Sequence, residues 1–238
     1  IYMAGNWTTS GSILALPNCG FSVTGCGGGG GEGCGTLFFS EYIEGGGVNK
    51  CLEIYNPTGS AIDLAAGGYA INLYSNGSTS ANTFNLSGTI AAGDVFVFCD
   101  DGADAAFLAE ADQITTSSLW NGDDAIELVN SAGTLDIIGS IGHDPGSRWE
   151  SNNGNDTQNQ TLVRNSNIFQ GVTVNPDLPG IDGFPTLETE WTEFAQDYVD
   201  DLGSHTFDGC PPPAECSIDD IMVALSSGCD DNGTININ

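Results

Sequence analysis

The chain has 238 residues, 39% of them hydrophobic and 15% charged, which is enough apolar material for a β domain with its own core. Its 32 acidic residues against three basic ones (Lys50, Arg148 and Arg164) give a net charge of −29, which repels phosphate backbones and argues against direct nucleic-acid binding. The eight cysteines form an even set with no C-x-x-C pair, a pattern for disulfides rather than zinc and hence for an extracellular or cell-surface setting.

In chain order, residues 1–35 read as short strand-like pieces, Ile13–Leu16 and Phe21–Val23, followed by a joint of five glycines, Gly27–Gly31. The first residues have neither an initiator Met nor a basic leader, so an excised segment of a longer polypeptide is expected.

Residues 36–209 carry strand signals throughout. Leu37–Ile43 and Cys51–Tyr55 are rich in aromatic and branched residues and are separated by Gly45, Gly46, Gly47 and Asn49, which predicts a hairpin. Leu52 and Ile54 alternate with Glu53 and Tyr55, so one buried and one wet face are expected. Further strands are predicted at Ala70–Tyr74, Thr83–Leu86, Thr89–Ile90, Val95–Cys99, Ala125–Val129, Leu135–Ile141 and Thr161–Arg164. A short helix is expected between Ala103 and Ala111, with Asp101 as its cap. Residues 171–190 read as a Pro/Gly loop, after which Trp191–Phe194 packs back and Leu202–Thr206 closes the unit. Strands this frequent with no long helix predict an all-β, immunoglobulin-like sandwich with additional short β segments at both termini.

Residues 210–238 begin with a stiff Pro211–Pro213 spacer. Cys216–Leu225 alternates as a strand and Ile235–Ile237 begins another, a partial second β module too short to bury a core alone. No apolar run approaches the roughly 18 residues of a membrane-spanning helix, so no membrane insertion is expected.

The ordered motifs LFFSEYIEG, NKCLEIYNPTG, YAINLYSNG, LSGTIAAGDVFVF, WNGDDAIELV, DIIGSIGHDPGSRW, TLVR, EW and LGSHT resemble the lamin-tail domain in the form found in secreted bacterial proteins, over residues 37–207. The resemblance implies an immunoglobulin-like sandwich serving as a binding or structural module. In secreted bacterial proteins such modules accompany extracellular nucleases or sit in long multidomain surface proteins. No nuclease motif occurs here. CSIDDIMVALSSGCDDNG is similar to the opening of β-sandwich repeats in very long cell-surface adhesins. Cys51 and Cys99 depart from the family pattern by standing where apolar strand residues are expected.

Eight cysteines allow 105 pairings. A bridge from Cys34 to Cys210 would tie the ends of the main domain. Cys51–Cys99, Cys19–Cys26 and Cys216–Cys229 complete one set, with free buried thiols at Cys51 and Cys99 as the alternative.

No catalytic constellation is evident, so no enzyme activity is expected of this segment. Glu41, Glu44 and Glu53 crowd one hairpin, and exposed strand and turn carboxylates are their plain reading. Ser204, His205 and Asp144 supply the residue types of a triad without a nucleophile elbow to support it. Asp100, Asp101 and Asp104, then Asp123 and Asp124, then Asp230 and Asp231 lie on glycine-bearing turns, where hard oxygen ligands suit Ca²⁺ as the one candidate cofactor. Turn formation alone also selects Asp there. Trp120, Trp149 and Trp191 are core plugs or sugar-stacking platforms, with Trp149 the one expected to be exposed.

The functional expectation is a non-enzymatic structural or adhesive module of an extracellular bacterial surface protein, a filament subunit joining other copies or neighbouring β modules by strand addition. The alternatives are an accessory domain of a secreted nuclease or other hydrolase, and a Ca²⁺-dependent module for a glycan or other cell-surface partner.

Overall fold

The computed structural model describes residues 21–24, 34–210 and 222–225. The chain divides into two units, Gly31–Pro212 and a smaller one formed by Ile1–Gly30 with Pro213–Asn238. In the smaller unit, β1 (Phe21–Thr24) pairs antiparallel with the C-terminal strand Met222–Leu225, Phe21 opposite Leu225. The strands expected at Ile13–Leu16 and Ile235–Ile237 lie outside the described residues, as do Cys19, Cys26, Cys216, Cys229, Asp230 and Asp231.

The larger unit runs β2 (Phe38–Glu44), β3 (Lys50–Tyr55), β4 (Ile62–Asp63), α1 (Leu64–Gly67), β5 (Ala70–Tyr74), β6 (Asn82–Asn85), β7 (Thr89–Ile90) and β8 (Val95–Asp100). It continues with α2 (Ala105–Leu108), β9 (Gln113–Thr115), β10 (Ala125–Asn130), β11 (Gly133–Ile138), β12 (Thr161–Arg164), α3 (Leu187–Glu190) and β13 (Trp191–Phe194). A six-stranded sheet has the order β13-β12-β2-β3-β8-β9, and a four-stranded sheet the order β11-β10-β5-β6. Their facing sides bury Phe39, Leu52, Ile54, Phe96, Phe98 and Leu162 against Ile71, Leu73, Ile126 and Leu128. This is a β-sandwich with one dominant apolar core.

The expected hairpin is β2–β3, and its alternation survives only because of a bulge. Phe39 pairs with Ile54 and Glu41 with Glu53, leaving Ser40 as the extra residue. Phe39 and Tyr42 therefore join the main core, while Glu41 and Ile43 point away from it.

The outer face of the hairpin is not wet. Glu53 and Tyr55, expected on a solvated side, are 1% and 5% exposed. The cover is the segment 195–209, which follows β13 and runs back across the sheet as a strap. Its Leu202 joins Ile43, Cys51, Val97, Cys99, Ala103 and Phe107 in a second apolar cluster. Its His205 and Phe207 pack on Tyr55, with ring centroids 4.9 and 5.1 Å away, and on Phe38.

The helix near Ala103 is shorter than expected. Asp104, not Asp101, stands at its N-cap position, and the Asp104 carboxylate accepts from the Asn49 amide instead of capping. Strands β4 and β9 and helices α1 and α3, the last inside the expected 171–190 loop, were not anticipated, being two to four residues long. Only long-range pairing defines the two strands, to β7 and β8 respectively.

Two disulfides fall within the described residues. Cys34–Cys210 closes the larger unit's ends across 176 positions, and Cys51–Cys99 joins directly opposed residues of β3 and β8. In the chain-entropy account each stabilises by roughly 4–5 kcal/mol. Replacing Cys34 and Cys210 together by Ser is expected to lower Tm by roughly 10–15 °C by scanning calorimetry, with the fold retained.

Candidate functional site

The outer face of the six-stranded sheet concentrates the unusual chemistry. Glu41 and Glu53 lie side by side on β2 and β3, both 1% exposed, under the strap. The row they occupy is flanked by Val163 of β12 and Val97 of β8. The Glu53 carboxylate accepts from the Ser40 hydroxyl (2.6 Å) and from the backbone N–H of Gly203 (2.8 Å). Glu41 Oε1 is buried without a hydrogen-bond partner.

Burial, with the charges of Glu53 and Asp201, pushes the Glu41 carboxyl up to about 9 from its ordinary 4.5. Burial lifts Glu53 to about 7, partly offset by the hydrogen bonds from Ser40, Gly203 and Ser204. His205 is lowered to about 4 by burial and by Arg164, and its Nε2 is likewise unpartnered. Beside it, a cleft of about 290 Å³ opens between β12, β13 and the strap, lined by Val163, Thr192, Phe194, Asp201, Ser204 and His205.

These findings correct the reading of Glu41, Glu44 and Glu53 as exposed carboxylates. The strap hides the first and third. Glu44 is 6% exposed and accepts from Lys50 Nζ (2.5 Å) and from the Asn159 backbone N–H. No triad forms either. His205 sits on Tyr55 and Phe38, Asp144 accepts from the Gly146 N–H, and it is His143 that meets a carboxylate, Asp177 at 2.9 Å.

The acidic turns behave as turns. Asp100 accepts from the Gly102 N–H, and Asp124 accepts from the N–H groups of Asn76 and Asn121. Asp101 is exposed. Asp123 is buried, and burial raises its carboxyl above the usual range. Among the described residues no group of three or more His, Cys, Asp or Glu side chains converges as a metal site would.

The tryptophans Trp120, Trp149 and Trp191 are core. Trp149, expected at the surface, is fully buried against Gly139 and Gly183, and its indole N–H points to the Asp124 carbonyl at 3.4 Å. Trp120 donates to the Ile43 carbonyl, so neither ring is offered to a sugar.

Sequence reasoning missed Arg164. It is 2% exposed and donates to Asp136 (2.7 Å) and to Glu190, between the rings of Trp191 and Phe38. Asp136 is fully buried and also accepts from the N–H groups of Phe39, Ile137 and Val172. The available signal was the scarcity of cations: a basic residue at the end of a predicted core strand needs a buried acid.

Arg164→Met should destabilise by about 3–5 kcal/mol, because Asp136 is left charged and enclosed; urea unfolding at pH 7 reads this as a lower midpoint with unchanged m. The pH profile has a definite sign. Glu41 and Glu53 titrate above their unfolded value of 4.5, so their contribution is complete below 4.5 and is lost as pH rises through about 7 and then 9. His205 titrates below its ordinary 6.5, so its contribution is present above 6.5 and lost as pH falls through about 4. Stability is therefore expected to peak on the mildly acidic side of neutral and to decline towards pH 9. Glu41→Gln, which keeps the shape without the proton, should flatten the alkaline limb and raise Tm at pH 8 by several degrees.

No curated protein matches the chain. Residues 32–144 match the family model of the Lamin Tail Domain, a match that ends before β12 and β13, which complete the same sheet, and before the strap. The first part of the sandwich is thus similar to the lamin tail domain, the fold is immunoglobulin-like, and a C-terminal extension covers one of its faces.

Proposed function

We propose that the chain is a non-enzymatic structural module of an extracellular surface protein, which joins copies of itself or neighbouring β modules end to end by strand addition. The observation that carries this reading is the ladder between Phe21–Thr24 and Met222–Leu225. Segments from the two ends of the chain meet in one sheet, and among the described residues β1 and its partner Met222–Leu225 pair only with each other. An edge strand offers unpaired backbone groups, so another strand is its natural complement.

Further features support an exposed, load-resisting role. The disulfides suit an oxidising compartment, and no helix among the described residues is long and apolar enough to cross a membrane. The buried acids lie beneath the strap, where a substrate does not reach them. The net charge of −29 disfavours close packing of unrelated copies and leaves association to directed backbone pairing.

Electron imaging of the native protein, purified without denaturant, tests the reading. Filaments with a repeat near one domain length are expected, and deletion of residues 211–238 should leave single particles with an intact sandwich. Monodisperse native protein, or filaments that survive the deletion, would overturn it.

A further inference from the structure

We propose that Glu41, Glu53 and the strap segment 198–207 form a pH-responsive latch: the strap lies closed while Glu41 holds a proton, and ionisation of the pair lifts it from the sheet.

The geometry forces the two acids together. The Ser40 bulge turns Glu41 to the same side as Glu53, directly opposite it across the β2–β3 ladder. Their lateral neighbours, Val163 and Val97, offer neither charge nor hydrogen bond. The strap above brings more acid. Asp201 acts on both Glu41 and Glu53, and Tyr198 donates to Asp201 at 3.2 Å. Asp200 lies next to them on the strap and is exposed. From the turn after α2, the Glu110 carboxylate lies against Gly203, whose φ of +94° lies in the region that favours glycine. His205 is the one basic group on the strap, and burial keeps it neutral.

No cation is available to relieve this cluster. The chain has three Lys and Arg in all. Lys50 is bound to Glu44, Arg148 to Glu150 and Asp156, and Arg164 to Asp136 and Glu190. Two ionised carboxylates side by side in a site closed to water repel strongly, and a proton on one of them is the simplest relief.

When that proton leaves, the weakest cover gives way. The sheet is held by ladders, whereas the strap makes none and rests on the Gly203 N–H to Glu53 bond, on the Thr161 hydroxyl donating to the Tyr198 carbonyl, on Val199 and Leu202, and on the aromatic contacts of Tyr198, His205 and Phe207. Its ends stay fixed, one in β13 and the other at the Cys34–Cys210 bridge, so it opens as a tethered loop. Beneath it lie the patch of Ile43, Val97 and Phe107 and the buried Cys51–Cys99 disulfide. The latch is closed in mildly acidic medium and opens as the medium turns alkaline.

Hydrogen exchange of the Leu202 and Gly203 amides, corrected for intrinsic rates, tests this between pH 6 and 9.5. Protection should fall by about tenfold or more in the native protein and stay level in Glu41→Gln. Protection that is constant in the native protein, or that falls equally in the variant, overturns the latch. Carbon-13 titration of the native glutamate carboxyls needs no variant: a Glu41 that titrates near the ordinary 4.5 also overturns it. Over the same range, phosphine reduction of Cys51–Cys99 should accelerate relative to Cys34–Cys210; an unchanged ratio counts against opening.

Discussion

One buried carboxylate fastens the two sheets. Asp136 comes from β11 of the four-stranded sheet, and its oxygens are taken by Phe39 on β2, by Arg164 on β12, by Val172 in the following loop and by its neighbour Ile137. Arg164 then reaches Glu190 at the end of α3 and lies between Phe38 and Trp191. A lone charge at this depth would cost several kcal/mol, but here every contact is charge-assisted and several elements share it. The network fixes β12 and hence β13 in the sheet, and the strap that departs from β13 inherits that position.

The strands of the sandwich were legible because their signal is local. β2, β3, β5, β8, β10 and β12 carry alternation or branched and aromatic runs bounded by turn residues, and each appears within a few positions of where those residues put it. Burial of the hairpin's second face was not legible. Glu41, Glu53 and Tyr55 look like a solvated side until residues some 150 positions later fold over them, and nothing in β2 or β3 announces a strap. Trp149 was misjudged for the same reason, since the polar neighbours Arg148 and Glu150 point outward while the indole fills space above Gly139. The acidic turns show what their turn chemistry alone predicts. Asp100, Asp101 and Asp104 are adjacent along the chain, yet their oxygens serve separate local bonds or solvent.

The family match and the structure also divide the chain differently. The matched residues end at 144, yet two of the six strands of the larger sheet follow that point. Without β12 the edge of β2 would lie open, and without the strap the second cluster around Cys51, Val97 and Cys99 would face water. The extension is therefore part of the folding unit. The Cys34–Cys210 bridge reflects this by joining the residue just before β2 to the residue just after the strap.

Charge scarcity ties these features together. A chain with many acids and three cations cannot neutralise its buried carboxylates in the ordinary way. It commits Arg164 to the one that holds the sheets together and Lys50 to Glu44 at the hairpin turn. Glu41 and Glu53 are left with backbone donors, a serine and a proton. Protonation is a weaker guarantee than an ion pair, because the surrounding pH sets it. The most conditional contact in the larger unit thus lies under its least regular cover, while the core between the sheets, built from apolar residues and anchored at Asp136, is insulated from the same change.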